Sequence, residues 1–380
     1  MKIKRYSTSK IMQSLSPKRA AIIYGPRRVG KTTLLNSLKE QLEETTKASI
    51  LSVTGEDRFV SEWLGSQSIE VLKRNLESYN YLFIDEAQHI NKIGLNIKLI
   101  VDNIPDVVVV ATGSSSFSLA NQIGEPLVGR KWQYLLYPFA QLELNSYENP
   151  LETRGRLEER LIFGSYPEIV LAPSLDAKMQ ILNSIVDNYL FRDLLILEDL
   201  RRSDKLLDLL KLLAFQIGNE VSISALANSL NLSFHTVEKY LFLLEEVFVI
   251  KRVGGFSRNL RKEVIKNSRY YFLDNGVRNA VINNFNDLGT RDDVGMLWEN
   301  YLFVERLKKR EYLDIYANHY FWRTYDQKEI DLIEERDGKL YGFEFKWGSK
   351  EPKAPRDWLG TYDNATYEVM NKGNYLDFIT

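Results

Sequence analysis

The chain carries no cysteine, which excludes disulfides, zinc–thiolate sites and thiol nucleophiles and is compatible with a reducing interior. Histidine is scarce too. His89, His235 and His319 lie far apart and show no metal-ligand spacing, so they read as ordinary polar residues. An excess of either charge is also lacking: 50 basic against 51 acidic residues leave a formal net charge of −1, so any affinity for nucleic acid has to come from a local patch. No apolar run approaches a membrane span, and the charged start Met1-Lys2-Ile3-Lys4-Arg5 has no apolar stretch behind it. No membrane contact and a cytoplasmic location are expected. At 380 residues, 44% of them hydrophobic, the chain exceeds one ordinary core and predicts two or three domains.

What is there begins with Gly25-Pro26-Arg27-Arg28-Val29-Gly30-Lys31-Thr32-Thr33, a full G-x-x-x-x-G-K-[ST] loop. It lies between the apolar run Ala20-Ala21-Ile22-Ile23-Tyr24 and a helical stretch that starts near Lys31. Backbone N–H groups turned by the glycines, together with the positive end of the helix dipole, converge on one point that suits a nucleotide's phosphates. Gly25 and Gly30 let the backbone approach, Lys31 can bridge the β- and γ-phosphates, and the Thr32 hydroxyl can ligate Mg²⁺. ATP is expected rather than GTP. The nearest match to the guanine-reading Asn-Lys-x-Asp, Asn91-Lys92-Ile93-Gly94, lacks the aspartate.

Downstream, Tyr81-Leu82-Phe83-Ile84 runs into Asp85-Glu86, a buried parallel strand that delivers two carboxylates to the carboxyl edge of a sheet. Asp85 reads as a partner of Mg²⁺ through water, and Glu86 as the group that polarises the attacking water. A third strand, Val107-Val108-Val109-Val110-Ala111, ends in Thr112-Gly113-Ser114. Arg130, just past Gly129, can reach the γ-phosphate of its own subunit or of a neighbour's. Strands near 20–24, 48–53, 80–84, 107–112 and 132–137 alternate with helices near 31–44, 60–78 and 91–103. That alternation predicts an α/β fold with a parallel sheet covered on both faces, and helical patterning follows from about 155 to 215.

Residues 203–253 read as a helix-turn-helix with a wing: a capped helix from Ser222 to Leu230, a turn at Asn231-Leu232-Ser233, a second helix from Phe234 to Glu246, and a strand over 247–253. Two readings stand side by side. The second helix can contact DNA, with Ser233, His235, Thr236 and Lys239 outward, or the module can pack on the ATPase core or a neighbouring subunit. The stretch 251–270 holds seven basic residues, Arg258, Arg261 and Lys262 among them, against Glu263 alone, a phosphate-binding stripe that points to double-stranded DNA. Further on, Glu299 lies on an amphipathic helix, Asp331 and Glu344 on the two arms of a hairpin turning at Asp337-Gly338, and Lys346 shares a face with Glu344. Carboxylates so placed can hold a hard cation such as Mg²⁺ while the lysine orients a water; they can equally form a cross-strand Glu–Lys pair beside a solvated Asp.

Together with Phe83-Ile84-Asp85-Glu86-Ala87-Gln88, Thr112-Gly113-Ser114, Gly129-Arg130, Pro138-Phe139, Tyr271-Phe272-Leu273-Asp274-Asn275-Gly276 and Trp298-Glu299-Asn300, the phosphate loop resembles a prokaryotic family of AAA-superfamily ATPases. Its members carry a C-terminal domain of unknown function that combines a winged helix with a PD-(D/E)XK nuclease-like fold. The resemblance covers nearly the whole chain. It implies a P-loop AAA-type ATPase domain at 1–150, a helical connector at 151–202, a winged helix-turn-helix at 203–285 and an α+β nuclease-like domain at 286–380. It also implies Mg²⁺-dependent ATP hydrolysis, homo-oligomers, a γ-phosphate sensor at Thr112 or Ser114, and a catalytic role for Arg130. Three functions stay open: an ATPase whose nucleotide state rearranges a DNA-associated module, an ATP-gated metal-dependent nuclease, and a nucleotide-switched protein-binding scaffold.

Overall fold

The computed structural model describes residues 3–113, 127–190, 203–257, 267–324 and 327–380. The chain divides into two compact units, one of residues 1–138 with 246–248 and one of residues 139–245 with 249–380.

In the first unit β1 (Ala20–Tyr24), β2 (Ile50–Thr54), β3 (Tyr81–Asp85), β4 (Val108–Gly113) and β5 (Lys131–Leu135) form one sheet in the order β2-β3-β4-β1-β5. Every neighbouring pair is parallel, as the strand–helix alternation predicted. β4 is buried along its whole length, which explains its unbroken apolar run. Its insertion between β1 and β3 lines up three strand tips, with Tyr24 opposite Gly113 and Ile84 opposite Ala111. The helix Lys31–Thr45 buries Leu34, Leu35, Leu38 and Leu42, one stripe of a 3.6-residue period. The single helix expected over 60–78 is two, Arg58–Leu64 and Ile69–Leu76. Gly65, where a Cβ would lie 2.7 Å from the Ser61 carbonyl oxygen, closes the first, and the Ser68 side chain accepts from the Val71 N–H to open the second.

The second unit is organised by a seven-stranded sheet of β6 (Glu220–Val221), β7 (Ile250–Gly255), β8 (Ser268–Phe272), β9 (Asn318–Arg323), β10 (Glu329–Arg336), β11 (Lys339–Phe345) and β12 (Ala365–Met370). Its order is β12-β11-β10-β9-β7-β8-β6, antiparallel except for β7–β9 and β11–β12. Pairing of Gly254 with Tyr320 and of Gly255 with Phe321 carries the sheet from the segment 203–285 into the segment 286–380. The helix Ile223–Leu230 is capped by Ser222, Asn231 takes the left-handed conformation at φ 53°, and the helix Phe234–Glu246 buries Val237, Tyr240, Leu241, Leu243 and Leu244. Two helices and the turn between them thus fall where the sequence pattern placed them. Along the helix Val294–Tyr312, Asn300 exchanges hydrogen bonds with both backbone groups of Phe272 at 2.8 Å and donates to Asn275 at 2.6 Å. Asn275 and Asn300 are therefore a buried brace, which accounts for their place in the quoted motifs.

Candidate active site

The first unit's site is built at the carboxyl edge of β1, β4 and β3. Gly25 has φ +153°, and a Cβ there would lie 2.1 Å from the Leu136 carbonyl oxygen, so only glycine lets the loop leave β1 beside that backbone. Gly30, at φ +93°, caps the helix Lys31–Thr45 and brings no side-chain acceptor to the first amides of that helix. Those amides, with the helix dipole behind them, suit an anionic group such as a phosphate. Lys31 is buried, and its Nζ donates to the carbonyl oxygens of Gly25 at 3.0 Å and Pro26 at 2.9 Å. Pro26, Arg27, Arg28 and Val29 make up the rest of the loop and Thr33 lies in the first turn of the helix, with Arg28 also left-handed at φ 63°.

Asp85 is held from two strands. Thr32 Oγ1 donates to its Oδ2 at 2.7 Å, and Thr112 Oγ1 donates to its Oδ1 at 2.5 Å. Thr112, fully buried, also accepts the Glu86 N–H at 3.0 Å. Its hydroxyl is thus spent on fixing the acidic pair, which makes it a strut between β4 and β3. Ser114, the other sensor candidate, lies outside the described residues. Glu86 adopts φ +49° and ψ +46°, an uncommon conformation for a side chain of its size, and its Oε2 accepts from Gln88 Nε2. Gly55 was missed by the sequence reading. A Cβ on it would lie 2.5 Å from the Glu86 carbonyl oxygen, and the only signal was a glycine directly after β2. The exposed Thr32 hydroxyl and the Asp85 carboxylate fit a magnesium-bound nucleotide: a neutral hard oxygen and an anionic one meet at the mouth of the phosphate loop.

Arg130 requires a correction. Ala20 pairs with Lys131, and the Ala20 N–H donates to the Arg130 carbonyl at 2.8 Å, so Arg130 stands where β1 begins whereas the phosphate loop leaves where β1 ends. The intervening strand spans about 16 Å, more than an arginine side chain bridges. Its Nε instead donates to Asp102 Oδ1 at 2.6 Å. Reach to its own subunit's γ-phosphate is excluded; an arginine directly before a parallel strand always stands at the amino edge.

In the second unit, the helix Phe234–Glu246 exposes Lys239, together with Phe234, His235, Glu238 and Phe242. That face balances Lys239 with Glu238 and is largely aromatic. Arg258, Arg261 and Lys262 lie outside the described residues. Of the rest of the basic stripe, Lys266 also lies outside the described residues, Lys251 pairs with Glu245 Oε1 at 2.8 Å, Arg269 is buried, and Arg252 is exposed with its Nε donating to Ser268 Oγ at 2.8 Å.

The hairpin β10–β11 pairs Leu332 with Phe343, which makes Asp331 and Glu344 the next step of the same ladder. Lys346 Nζ bonds Glu344 Oε1 at 2.6 Å, and the Phe345 N–H donates to Asp331 Oδ2 at 2.8 Å. Glu299 joins them through Arg269, whose Nη1 is 3.3 Å from Glu299 Oε1 and 3.4 Å from Asp331 Oδ1, and whose Nη2 is 2.9 Å from Glu329 Oε2. Tyr271 also donates to Glu299 Oε1, at 2.7 Å. Burial pushes Glu299 up to about 8 and Glu344 up to about 7, the Asp331 charge adding to both, and burial raises Asp331 as well. Glu299 and Asp331 meet about a guanidinium that the sequence reading assigned to a surface stripe, while Glu344 and Lys346 pair with each other on the adjoining strand. Among the described residues, no three acidic or histidine side chains are grouped so as to hold a metal ion.

Comparison with known proteins divides the chain in three. Residues 17–145 match the AAA domain, residues 154–288 a domain of unknown function (DUF8612), and residues 294–374 another domain of unknown function (DUF4143). An uncharacterized protein of Haemophilus influenzae is 27% identical over 379 residues, covering 94% of this chain and 89% of its own length. One from Methanocaldococcus jannaschii is 26% identical over 337 residues, covering 84% and 73%. Among solved structures, AMPPCP-bound DnaA from Aquifex aeolicus is similar over 63% of this chain and 86% of its own, with 14% identity and a TM-score of 0.29. Cdc6p from Pyrobaculum aerophilum is similar over 73% and 92%, with 14% identity and a TM-score of 0.29. The five parallel strands of the first unit fit a P-loop NTPase fold, and they lie within the segment that is similar to the AAA domain.

Proposed function

We propose that this chain binds Mg²⁺–ATP at the first unit's phosphate loop, hydrolyses it, and uses the nucleotide state to rearrange a DNA-associated second unit. The observation that carries the proposal is the Asp85 carboxylate held between Thr32 and Thr112, with Glu86 fixed beside it at the mouth of the loop. The loop amides and Lys31 would take the β- and γ-phosphates, for which Lys31 exchanges the two loop carbonyls it now caps. Thr32 and Asp85 would hold the magnesium, which when bound neutralises charge developing on the phosphate oxygens. Glu86 would orient a water in line with the γ-phosphate, and Gln88 limits where its carboxylate can turn. Ser114 would sense the γ-phosphate. Arg130 would act on a neighbouring subunit's nucleotide in a homo-oligomer.

Lys31→Ala and Glu86→Gln are each expected to stop phosphate release, the second while nucleotide binding persists. Undiminished turnover in either variant defeats the assignment.

For the second unit, the helix pair 223–246 followed by β7 and β8 supports a winged helix whose DNA contacts would come from Lys239 and from Arg258, Arg261 and Lys262. DNA affinity that falls steeply with salt, and weakens when those four are neutralised, supports this role; no salt-dependent affinity favours a protein-binding scaffold. The nuclease reading has one specific observation in its favour, the meeting of Glu299, Asp331, Glu344 and Lys346. Plasmid cleavage with Mn²⁺ that disappears in Asp331→Ala or Lys346→Ala supports it, and intact plasmid under all conditions counts against it.

A further inference from the structure

The acid cluster of the second unit contains its own cation. Arg269 projects from β8 with a side chain only 3% exposed, its guanidinium over the Phe321 ring at 4.7 Å and directed at three carboxylates. The contacts at 3.3 and 3.4 Å place one nitrogen between Glu299 and Asp331. A hard divalent cation draws its oxygens to about 2.0–2.6 Å, so these two carboxylates cannot converge on a metal while that nitrogen separates them. Hydrogen bonding within the cluster is nevertheless incomplete. Glu299, Glu329, Asp331 and Glu344 face two cations, Arg269 and Lys346, and two buried polar atoms, Glu344 Oε2 and Arg269 Nε, have no hydrogen-bond partner. A carboxylate oxygen buried without a donor is costly, and a divalent ion would satisfy it.

We propose that Arg269 is an internal counter-cation that closes the Glu299–Asp331–Glu344 cluster to divalent metal, and that the cluster accepts a hard cation such as Mg²⁺ or Mn²⁺ only when Arg269 is displaced. This rests on the cluster being a cation site, as the nuclease reading holds. Glu329 is the anchor of the closed state: it makes the shortest contact to Arg269 and is itself 42% exposed. Loosening it frees the guanidinium without leaving a buried charge unpaired, whereas removing Arg269 strips the counter-charge from the buried acids and destabilises the fold.

The test is Mn²⁺ binding to the full chain without nucleotide, followed by the paramagnetic resonance of free Mn²⁺ and by the melting temperature with and without the ion. Wild type is expected to bind weakly; Arg269→Gln should bind at least about tenfold more tightly and gain melting temperature with Mn²⁺, because a ligand that binds only the folded state stabilises it. Glu329→Gln should show a smaller gain in the same direction and decides the matter if Arg269→Gln fails to fold. Adding Asp331→Asn should erase either gain. Wild type that binds as tightly as the variants, in an Asp331-dependent way, overturns the closure while leaving the cation site standing. No Mn²⁺ bound by any of the proteins overturns both.

Discussion

Thr112→Val isolates the strut that fixes the acidic pair. The substitution keeps the shape of a fully buried side chain and removes two hydrogen bonds, the donation to Asp85 Oδ1 and the acceptance of the Glu86 N–H. A bond to a carboxylate contributes about 1.5–3 kcal/mol, and an amide left without a partner costs about 1–3 kcal/mol; allowing for overlap, a loss of about 3 kcal/mol is expected. That lowers the melting temperature of the first unit by about 10 °C. Glu86 would then keep its Gln88 contact but lose the bond that holds its backbone in the left-handed region. A drift of its carboxylate that adds about 1.4–2.7 kcal/mol to the barrier reduces kcat about 10- to 100-fold. Nucleotide affinity should change less than about threefold, since Thr112 touches Asp85 and Glu86 but none of the loop amides. Scanning calorimetry, steady-state phosphate release and titration with a fluorescent ATP analogue measure the three quantities. A variant that melts lower but turns over at the wild-type rate refutes the idea that Thr112 positions Glu86.

Other substitutions probe neighbouring claims. Gly25→Ala drives a Cβ to 2.1 Å from the Leu136 carbonyl oxygen and should abolish nucleotide binding by equilibrium dialysis while the second unit's melting transition is unchanged. Arg130→Ala should leave nucleotide affinity intact and lower turnover only at protein concentrations where subunits associate; a loss independent of concentration contradicts its placement at the amino edge. Glu299 has a raised pKa of about 8 in the fold, so the folded state keeps a proton that the unfolded chain gives up. Stability of the second unit should therefore fall as pH rises from about 4.5 towards 8, and Glu299→Gln should flatten the dependence of its melting temperature on pH over that window.

Much of the first unit was legible because its signals are local. The phosphate loop needs its glycines, and β3 announces itself by four apolar residues ending in Asp85-Glu86. The break at Gly65 was legible in principle, as was the edge on which Arg130 stands, since both follow from residues directly adjoining an element. Thr112 was read as a sensor because its strand tip was foreseen, but its bond to Asp85 depends on the side-by-side register of β4 and β3. Arg269 was less accessible still. The stretch 251–266 before it is rich in basic residues, whereas its partners Glu299, Glu329 and Asp331 come from a helix and a strand 30 or more residues away, brought together by a sheet that joins β8, β7, β9 and β10. Local charge patterning counted it with a phosphate-binding stripe; tertiary pairing placed it among acids.

The most direct test is a calorimetric titration of Mg²⁺–ATP into wild type and Lys31→Ala. The account predicts a saturable signal near one site per chain for wild type and none for the folded variant. No heat from well-folded wild type, or the same binding in Lys31→Ala, contradicts the claim that the loop after β1 grips a triphosphate.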